Sequence, residues 1–124
     1  MKFFDSVDSV KPVGHYSTAV VLPNGFVFIS GQISIDEFGN LTGNTLRDQA
    51  KNIFNNVKKI LSELGYSIEN IFKVVVYITD IGKFSEFNEI YKEFFGNHKP
   101  VRTTVEVSKL PKGALVEIEV SAFK

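Results

Sequence analysis

Hydrophobic residues in the middle of the chain recur at the three- and four-residue steps that are typical of an amphipathic helix. Thr45, with Asp48 three positions later, resembles a capping box at the start of this stripe, and Gly65 suits the left-handed residue that ends a helix. We therefore predict a long helix over this stretch. Its apolar positions are Leu46, Ala50, Ile53, Phe54, Val57, Ile60, Leu61 and Leu64.

Shorter apolar runs on both sides of this helix predict strands. A second helical stripe extends over Phe84–Phe94 and is closed by Gly96, while Asn24-Gly25 favours a type I′ hairpin turn. The order strand, strand, helix, strand, helix, strand, strand favours an α+β fold in which two helices pack on one face of a single mixed sheet. The predicted strands are Tyr16–Leu22, Phe26–Ser30, Ile71–Thr79, Val101–Val107 and Leu115–Phe123.

Composition narrows the class of protein. The 124 residues suit one domain over residues 1–124, and 14 Lys and Arg balance 14 Asp and Glu. This balance argues against a protein that binds nucleic acid by neutralising phosphates. There is no Cys for a disulfide or thiol nucleophile, no apolar run reaches bilayer length, and we expect a cytoplasmic protein without membrane partners. Twelve Phe and four Tyr exceed what two helices readily cover, which indicates a homo-oligomer.

Arg102 is an unusual residue for a β-branched strand. The period of two places it on one strand face with Thr104 and Glu106. A guanidinium pairs in two-pronged fashion with carboxylates, so an anionic small molecule is one possible ligand. The other reading, which the local pattern favours somewhat, is a cross-strand ion pair with Glu117 or Glu119.

Glu117 and Glu119 lie two positions apart on one face of the last predicted strand, about 6.5 Å apart at strand rise. Two carboxylates at such a separation can serve a glycosidase, although two acids on a strand face are more often simply solvated.

Gly31 allows either close approach of a ligand to the backbone or a bulge. Tyr16 is either a pocket phenol or a half-buried packing residue, and we read both histidines, at turn-like positions, as surface residues.

Eight segments, in this order and spacing, together form a specific pattern: Gly14-His15-Tyr16-Ser17, Ile29–Ile33, Gln49–Val57, Lys73–Asp80, Phe87–Tyr91, Pro100–Val105, Leu110–Gly113 and Val116–Glu119. With this pattern the chain resembles the RidA family, also called YjgF/UK114, from about Lys11 to the C-terminus. The resemblance implies a chorismate-mutase-like fold, a homotrimer with sites between subunits, and hydrolysis of 2-imino or 2-enamino acids to 2-keto acids and ammonia without a cofactor or metal.

The same resemblance implies roles for six residues. Arg102 would hold the substrate carboxylate, and Glu117 would orient or deprotonate the attacking water. Two departures from the family pattern are His15, where proline is typical, and Thr103, where a smaller residue is usual. The remaining residues, which the resemblance implies as binding residues, are Tyr16, Gly31, Asn88 and Thr104.

The order of the last strands is where local pattern and resemblance disagree. The short turn Leu110–Gly113 favours a direct hairpin between the last two strands, whereas the family fold inserts the Ile71–Thr79 strand between them. We adopt the family order, because a strand with three consecutive valines belongs in the sheet interior. Arg102 and Glu117 would then lie on strands about 10 Å apart, which leaves room for a small ligand and a water.

Two other function classes remain open at this point. One is a regulatory module that binds a small metabolite without turnover. The other is an endoribonuclease or translation inhibitor, an activity attached to this family, against which the zero net charge argues.

Overall fold

Two helices pack on one face of a six-stranded mixed sheet in the computed structural model, which describes residues 1–124. The helices are α1 (Leu46–Glu63) and α2 (Phe84–Phe95). No helix is both long enough and apolar enough to cross a membrane. The strands are β1 (Lys2–Phe4), β2 (Ala19–Val21), β3 (Phe26–Gln32), β4 (Ile71–Ile78), β5 (Val101–Glu106) and β6 (Val116–Phe123).

The strand order across the sheet is β1-β2-β3-β6-β4-β5. The β4 strand pairs antiparallel with β6 and parallel with β5, so it separates the last two strands of the chain. The expectation drawn from the resemblance is confirmed, and the direct hairpin between β5 and β6 is wrong. Val74 and Val76 are fully buried, which fits a strand in the interior of the sheet.

The predicted limits of α1 follow from its capping chemistry. The Thr45 hydroxyl accepts a hydrogen bond from the Asp48 backbone N–H at 3.1 Å. At the other end Gly65 has φ +83°, and the Tyr66 N–H donates to the Leu61 carbonyl at 2.8 Å, as in a Schellman motif. These local interactions satisfy backbone groups that the helix itself leaves unpaired.

The two faces of the sheet differ in what covers them. On β6, Val116, Ile118 and Val120 are buried against the helices, and we call this side the helix-covered face. Glu117 and Glu119 alternate with them and lie on the other side, the open face. No element of the chain packs over the open face, and large hydrophobic residues are exposed there, among them Phe28 and Val105.

Three local predictions need correction. The first strand of the chain, β1, was not expected, because three residues are too few to show an alternating pattern. The β2 strand covers only Ala19–Val21 of the predicted Tyr16–Leu22. The turn before β3 is not type I′: Gly25 has φ +98° but Asn24 does not have a positive φ, and the Gly25 N–H bonds to the Leu22 carbonyl. This is a three-residue loop that ends in a left-handed glycine.

Candidate functional site

Arg102 projects from the edge strand β5 toward α2 on the helix-covered face. Its Nη1 donates to Asn88 Oδ1 at 2.9 Å. The guanidinium carbon lies 4.5 Å from the centre of the Tyr91 ring and 5.2 Å from that of Phe84. Phe84, Asn88 and Tyr91 stand at helical spacing, so one face of α2 holds this side chain in place.

None of these partners carries a negative charge. Both ion pairs of the structure belong to Arg47, which contacts Glu86 and Glu89. The cross-strand ion pair of Arg102 with Glu117 or Glu119, which was the alternative interpretation from the local pattern, is therefore not formed. A guanidinium that is fixed by an amide and two rings keeps its charge available for an anion.

Two hydroxyl groups near Arg102 lack hydrogen-bond partners. The buried oxygens are Tyr91 OH and Thr104 Oγ1. Thr104 lies opposite Val76 of β4, just as Arg102 lies opposite Val74, so both β5 side chains share the helix-covered face. Because buried polar groups in folded proteins almost always have partners, these hydroxyls are available to a water molecule or a ligand. Burial raises the pKa of Tyr91, and the Arg102 charge opposes this rise.

Glu117 lies in a separate cleft of about 410 Å³ on the open face. Tyr16, Gly31 and Glu119 also line this cleft. The carboxyl group of Glu117 is partly buried, and this burial raises its pKa, with the neighbouring Glu119 charge raising it further. A carboxylate with a raised pKa is a stronger base than an exposed glutamate, so it is better suited to accept a proton from water.

Gly31 provides the space that Glu117 occupies. Ser30 and Gly31 together stand opposite Glu119, because the pairing of β3 with β6 shifts between Ile29 and Gln32. A Cβ atom built on Gly31 would lie 2.7 Å from Glu117 Oε2. The bulge, one of the two alternatives that the sequence left open, is therefore formed, and the space next to Gly31 is occupied by the Glu117 side chain of the same chain.

The tyrosine and the histidines take different positions. Tyr16 is 42% exposed at the rim of the Glu117 cleft, and its phenol oxygen accepts a hydrogen bond from the Val13 N–H at 3.2 Å. His15 is exposed, as predicted. His98, expected at the surface, is instead partly buried, and its Nε2 lies 2.7 Å from the Ile71 carbonyl oxygen. No cluster of three or more histidine, aspartate and glutamate side chains is arranged to hold a metal ion.

The six predicted residues thus form two groups. Arg102 and Glu117 lie on opposite faces of the sheet, with β4 between their strands. Their strands are two strand spacings apart, as expected. The expected space for a ligand between Arg102 and Glu117 of one chain is absent, because the sheet itself lies between the two side chains. The Arg102 group contains Asn88 and Thr104, and the Glu117 group contains Tyr16 and Gly31.

Known proteins with the same pattern identify the family. The family model described as Endoribonuclease L-PSP matches residues 6–124. A RutC family protein of Aquifex aeolicus (strain VF5) is 53% identical over 116 residues, which cover 91% of this chain and 91% of that protein. A solved member of the conserved Rid protein family from Yersinia pestis is 38% identical, with a TM-score of 0.87, covering 97% of this chain and 94% of that one. The chain belongs to the Rid (YjgF/UK114) family.

One solved relative contains a bound small molecule. The crystal structure of Escherichia coli TdcF with bound serine has a TM-score of 0.90 and 36% identity to this Rid-family chain. The match covers 100% of this chain and 99% of that one. Serine carries a carboxylate, so at least one similar protein accommodates a small carboxylate-bearing compound.

The sequence did not predict two residues that surround the guanidinium in this Rid-family protein. Phe84 and Tyr91 were assigned only to the apolar stripe of α2. Their spacing of seven residues, with Asn88 between them, places all three on one helix face, and this was the available signal. What the sequence could not show was that this face meets β5.

Proposed function

We propose that this protein hydrolyses reactive 2-imino and 2-enamino acids, such as 2-iminobutanoate and 2-iminopropanoate, to 2-keto acids and ammonia. Each site would combine the Arg102 group of one protomer with the Glu117 group of a neighbour in a homotrimer. Arg102 and Glu117 would be the catalytic residues. Tyr16, Gly31, Asn88 and Thr104 would line the pocket.

The guanidinium of Arg102 is the observation that carries this proposal. It has no carboxylate partner, and it is held at 2.9 Å by the neutral Asn88 amide. An arginine that is fixed in orientation but not neutralised is well suited to bind a planar carboxylate through two parallel hydrogen bonds. Every 2-imino acid presents such a carboxylate next to its reactive carbon.

The positions of the two groups support a site that is shared between two protomers. One chain cannot bring Arg102 to Glu117, because the sheet lies between them. The Arg102 group lies at the β5 edge, and the Glu117 cleft opens on the face that the helices leave uncovered. Large exposed hydrophobic residues on that face, such as Phe28 at 43% and Val105 at 40%, favour burial against a second copy.

The chemistry needs a bound water and one group that moves protons. Glu117 takes a proton from water as the water oxygen forms a bond to C2, and the C=N π electrons return to nitrogen. The protonated Glu117 then gives its proton to the carbinolamine nitrogen, and the C–N bond breaks. The hydroxyl proton passes to ammonia as the C=O bond forms, so imine protonated at nitrogen plus water gives keto acid plus ammonium. Placing the reactants together supplies much of the rate enhancement.

A coupled assay tests the activity. Purified protein is added to a threonine dehydratase reaction, and release of 2-ketobutyrate is followed. We expect the wild-type protein to accelerate this release, whereas Arg102→Ala should not, while its circular dichroism spectrum stays unchanged. Arg102→Lys keeps the charge without the planar fork and should retain only part of the activity. Equal acceleration by the wild-type and Arg102→Ala proteins would contradict the assignment.

Subunit mixing tests where the site is formed. Arg102→Ala and Glu117→Gln proteins, each inactive alone, are unfolded together in equal amounts and refolded. If sites are shared, random mixing restores both groups at about a quarter of the sites, and about a quarter of wild-type activity should return. A site within one chain would give no recovery.

The same preparations are incubated with RNA, and cleavage of RNA without keto-acid release would favour the activity in the family description instead.

A further inference from the structure

A polar cleft runs along α1, on a part of the surface that contains none of the six predicted site residues. Its volume is about 380 Å³. Residues of the loop after β3 and residues of α1 line it, together with Ser9 and Val10. Only two of its ten lining residues are hydrophobic, so polar atoms of the chain determine what it can bind.

Two asparagines one helical turn apart on α1 have fixed orientations in this cleft. Asn52 Nδ2 donates to Ser34 Oγ and to Thr42 Oγ1, both at 3.1 Å, which uses both of its protons. Asn56 Nδ2 donates to the Ile35 carbonyl at 3.3 Å, a group that can only accept. The amide nitrogens therefore point into the protein, and each Oδ1 is left without a protein donor.

The charged side chains that line the cleft give it a net negative charge. Asp36 and Glu37 contribute two carboxylates and Lys59 one ammonium, and none of the three forms an ion pair. One Asp36 oxygen already accepts two backbone N–H groups of its own loop, at 2.9 Å each. The other Asp36 oxygen, the Glu37 carboxylate and the two amide oxygens remain as acceptors.

We propose that this cleft is a second binding site and that it takes a small organic cation with a primary ammonium group. An ammonium has three donors and no acceptor, which matches the outward amide oxygens and the nearby carboxylates. An anion would be repelled by the net negative charge and would find oxygen acceptors where it needs hydrogen-bond donors. A neutral polyol would gain hydrogen bonds but no charge attraction. The proposal is independent of the deaminase activity, because it uses different residues.

Nuclear magnetic resonance titration tests this site on the full chain. The probe is 2-aminoethanol hydrochloride added to the ¹⁵N-labelled protein, with ethylene glycol, sodium glycolate and sodium chloride as matched additions. We expect saturable shifts at the Asn52 and Asn56 side-chain amides and at the Asp36 and Glu37 backbone amides with 2-aminoethanol only. The absence of saturable shifts, or equal shifts with ethylene glycol or sodium chloride, would overturn the proposal.

Two variants and one control variant test whether the probe binds in this cleft. Glu37→Gln changes an exposed loop residue and should weaken binding of 2-aminoethanol, whereas Glu63→Gln on the exposed face of α1 should not. Asn56→Leu removes one outward oxygen together with a single long hydrogen bond, and should weaken binding about tenfold. Unchanged affinity in both Glu37→Gln and Asn56→Leu would show that the probe binds elsewhere.

Discussion

The α-carbon of Gly31 faces the carboxylate of Glu117 so closely that a Cβ atom would lie 2.7 Å from Oε2 and 2.9 Å from Cδ. Real Cβ atoms do not approach other atoms to such distances. The residue at position 31 therefore determines where the proposed catalytic carboxylate lies. The backbone of Gly31 does not have a positive φ, so this requirement for glycine is steric rather than conformational.

Replacing Gly31 by alanine should move Glu117 and reduce imine hydrolysis. A displacement of about 1 Å in a catalytic group can lower activity about a hundredfold, and we expect a loss of kcat/KM of this order. Stability should change little, because the flexible end of the Glu117 side chain can move aside. Activity is measured by keto-acid release, and stability by urea unfolding.

A second substitution shows whether the loss arises from this contact. Glu117→Asp shortens the side chain by one methylene and makes room for the new methyl group. The Gly31→Ala effect should therefore be much smaller in a Glu117→Asp background, which a double-mutant cycle measures. Equal losses in the two backgrounds would mean that Gly31 acts through something other than Glu117.

Glu117 should also make stability depend on pH. Its folded-state pKa lies above the ordinary value of glutamate, first because of burial and then because of Glu119. The folded chain thus binds this proton more tightly than the unfolded chain does. The resulting stabilisation is fully present below the ordinary pKa of glutamate and is lost as the pH rises through the raised pKa.

The variant Glu117→Gln cannot ionise and should avoid this loss. At pH 7.5 its free energy of unfolding should exceed that of the wild type, and the difference should shrink as the pH falls toward 4. Urea unfolding at several pH values measures it. Glu119→Gln should lower the pKa of Glu117 and give a smaller difference of the same sign. A Glu117→Gln protein less stable than wild type at pH 7.5 would show that the carboxylate has stabilising partners.

Substitutions of Asn88 test whether Arg102 must have an uncharged partner in order to bind the substrate carboxylate. Asn88→Asp keeps an acceptor at the same place but adds a carboxylate that neutralises the guanidinium. We expect KM for the imino acid to rise about tenfold or more, and Asn88→Ala, which only removes the anchor, to raise KM less. Coupled assays at several dehydratase levels measure KM. Tight substrate binding by Asn88→Asp would refute the carboxylate-binding role.

Local chemistry explains which parts of this protein the sequence could predict. The ends of α1 depend on Thr45, Asp48 and Gly65, which act within one turn of the helix. The position of β4 between β5 and β6 depends on contacts far apart in sequence; the resemblance to a family supplied it, and the run of three valines in β4 supported it.

The candidate site shows the same division. Alternation along single strands placed Arg102 with Thr104 and Glu117 with Glu119. It could not show that these pairs lie on opposite faces, because that relation depends on how β4 joins the two strands. The prediction of an ion pair from the local pattern was wrong for the same reason: the Arg102 side chain contacts residues of α2 and not the glutamates of β6.

Tyr91 has a ring that contacts Arg102 and a buried hydroxyl that has no hydrogen-bond partner in the chain. Tyr91→Phe keeps the ring and removes an unpaired polar atom, so the free energy of unfolding should rise by about 1 kcal/mol. Tyr91→Leu removes the ring as well and should lower both stability and activity, because the guanidinium then loses one of its two aromatic contacts. Urea unfolding of the three proteins distinguishes these effects. If Tyr91→Phe is less stable than wild type, the hydroxyl holds a bound water; if it is stable but inactive, the hydroxyl contacts the substrate directly.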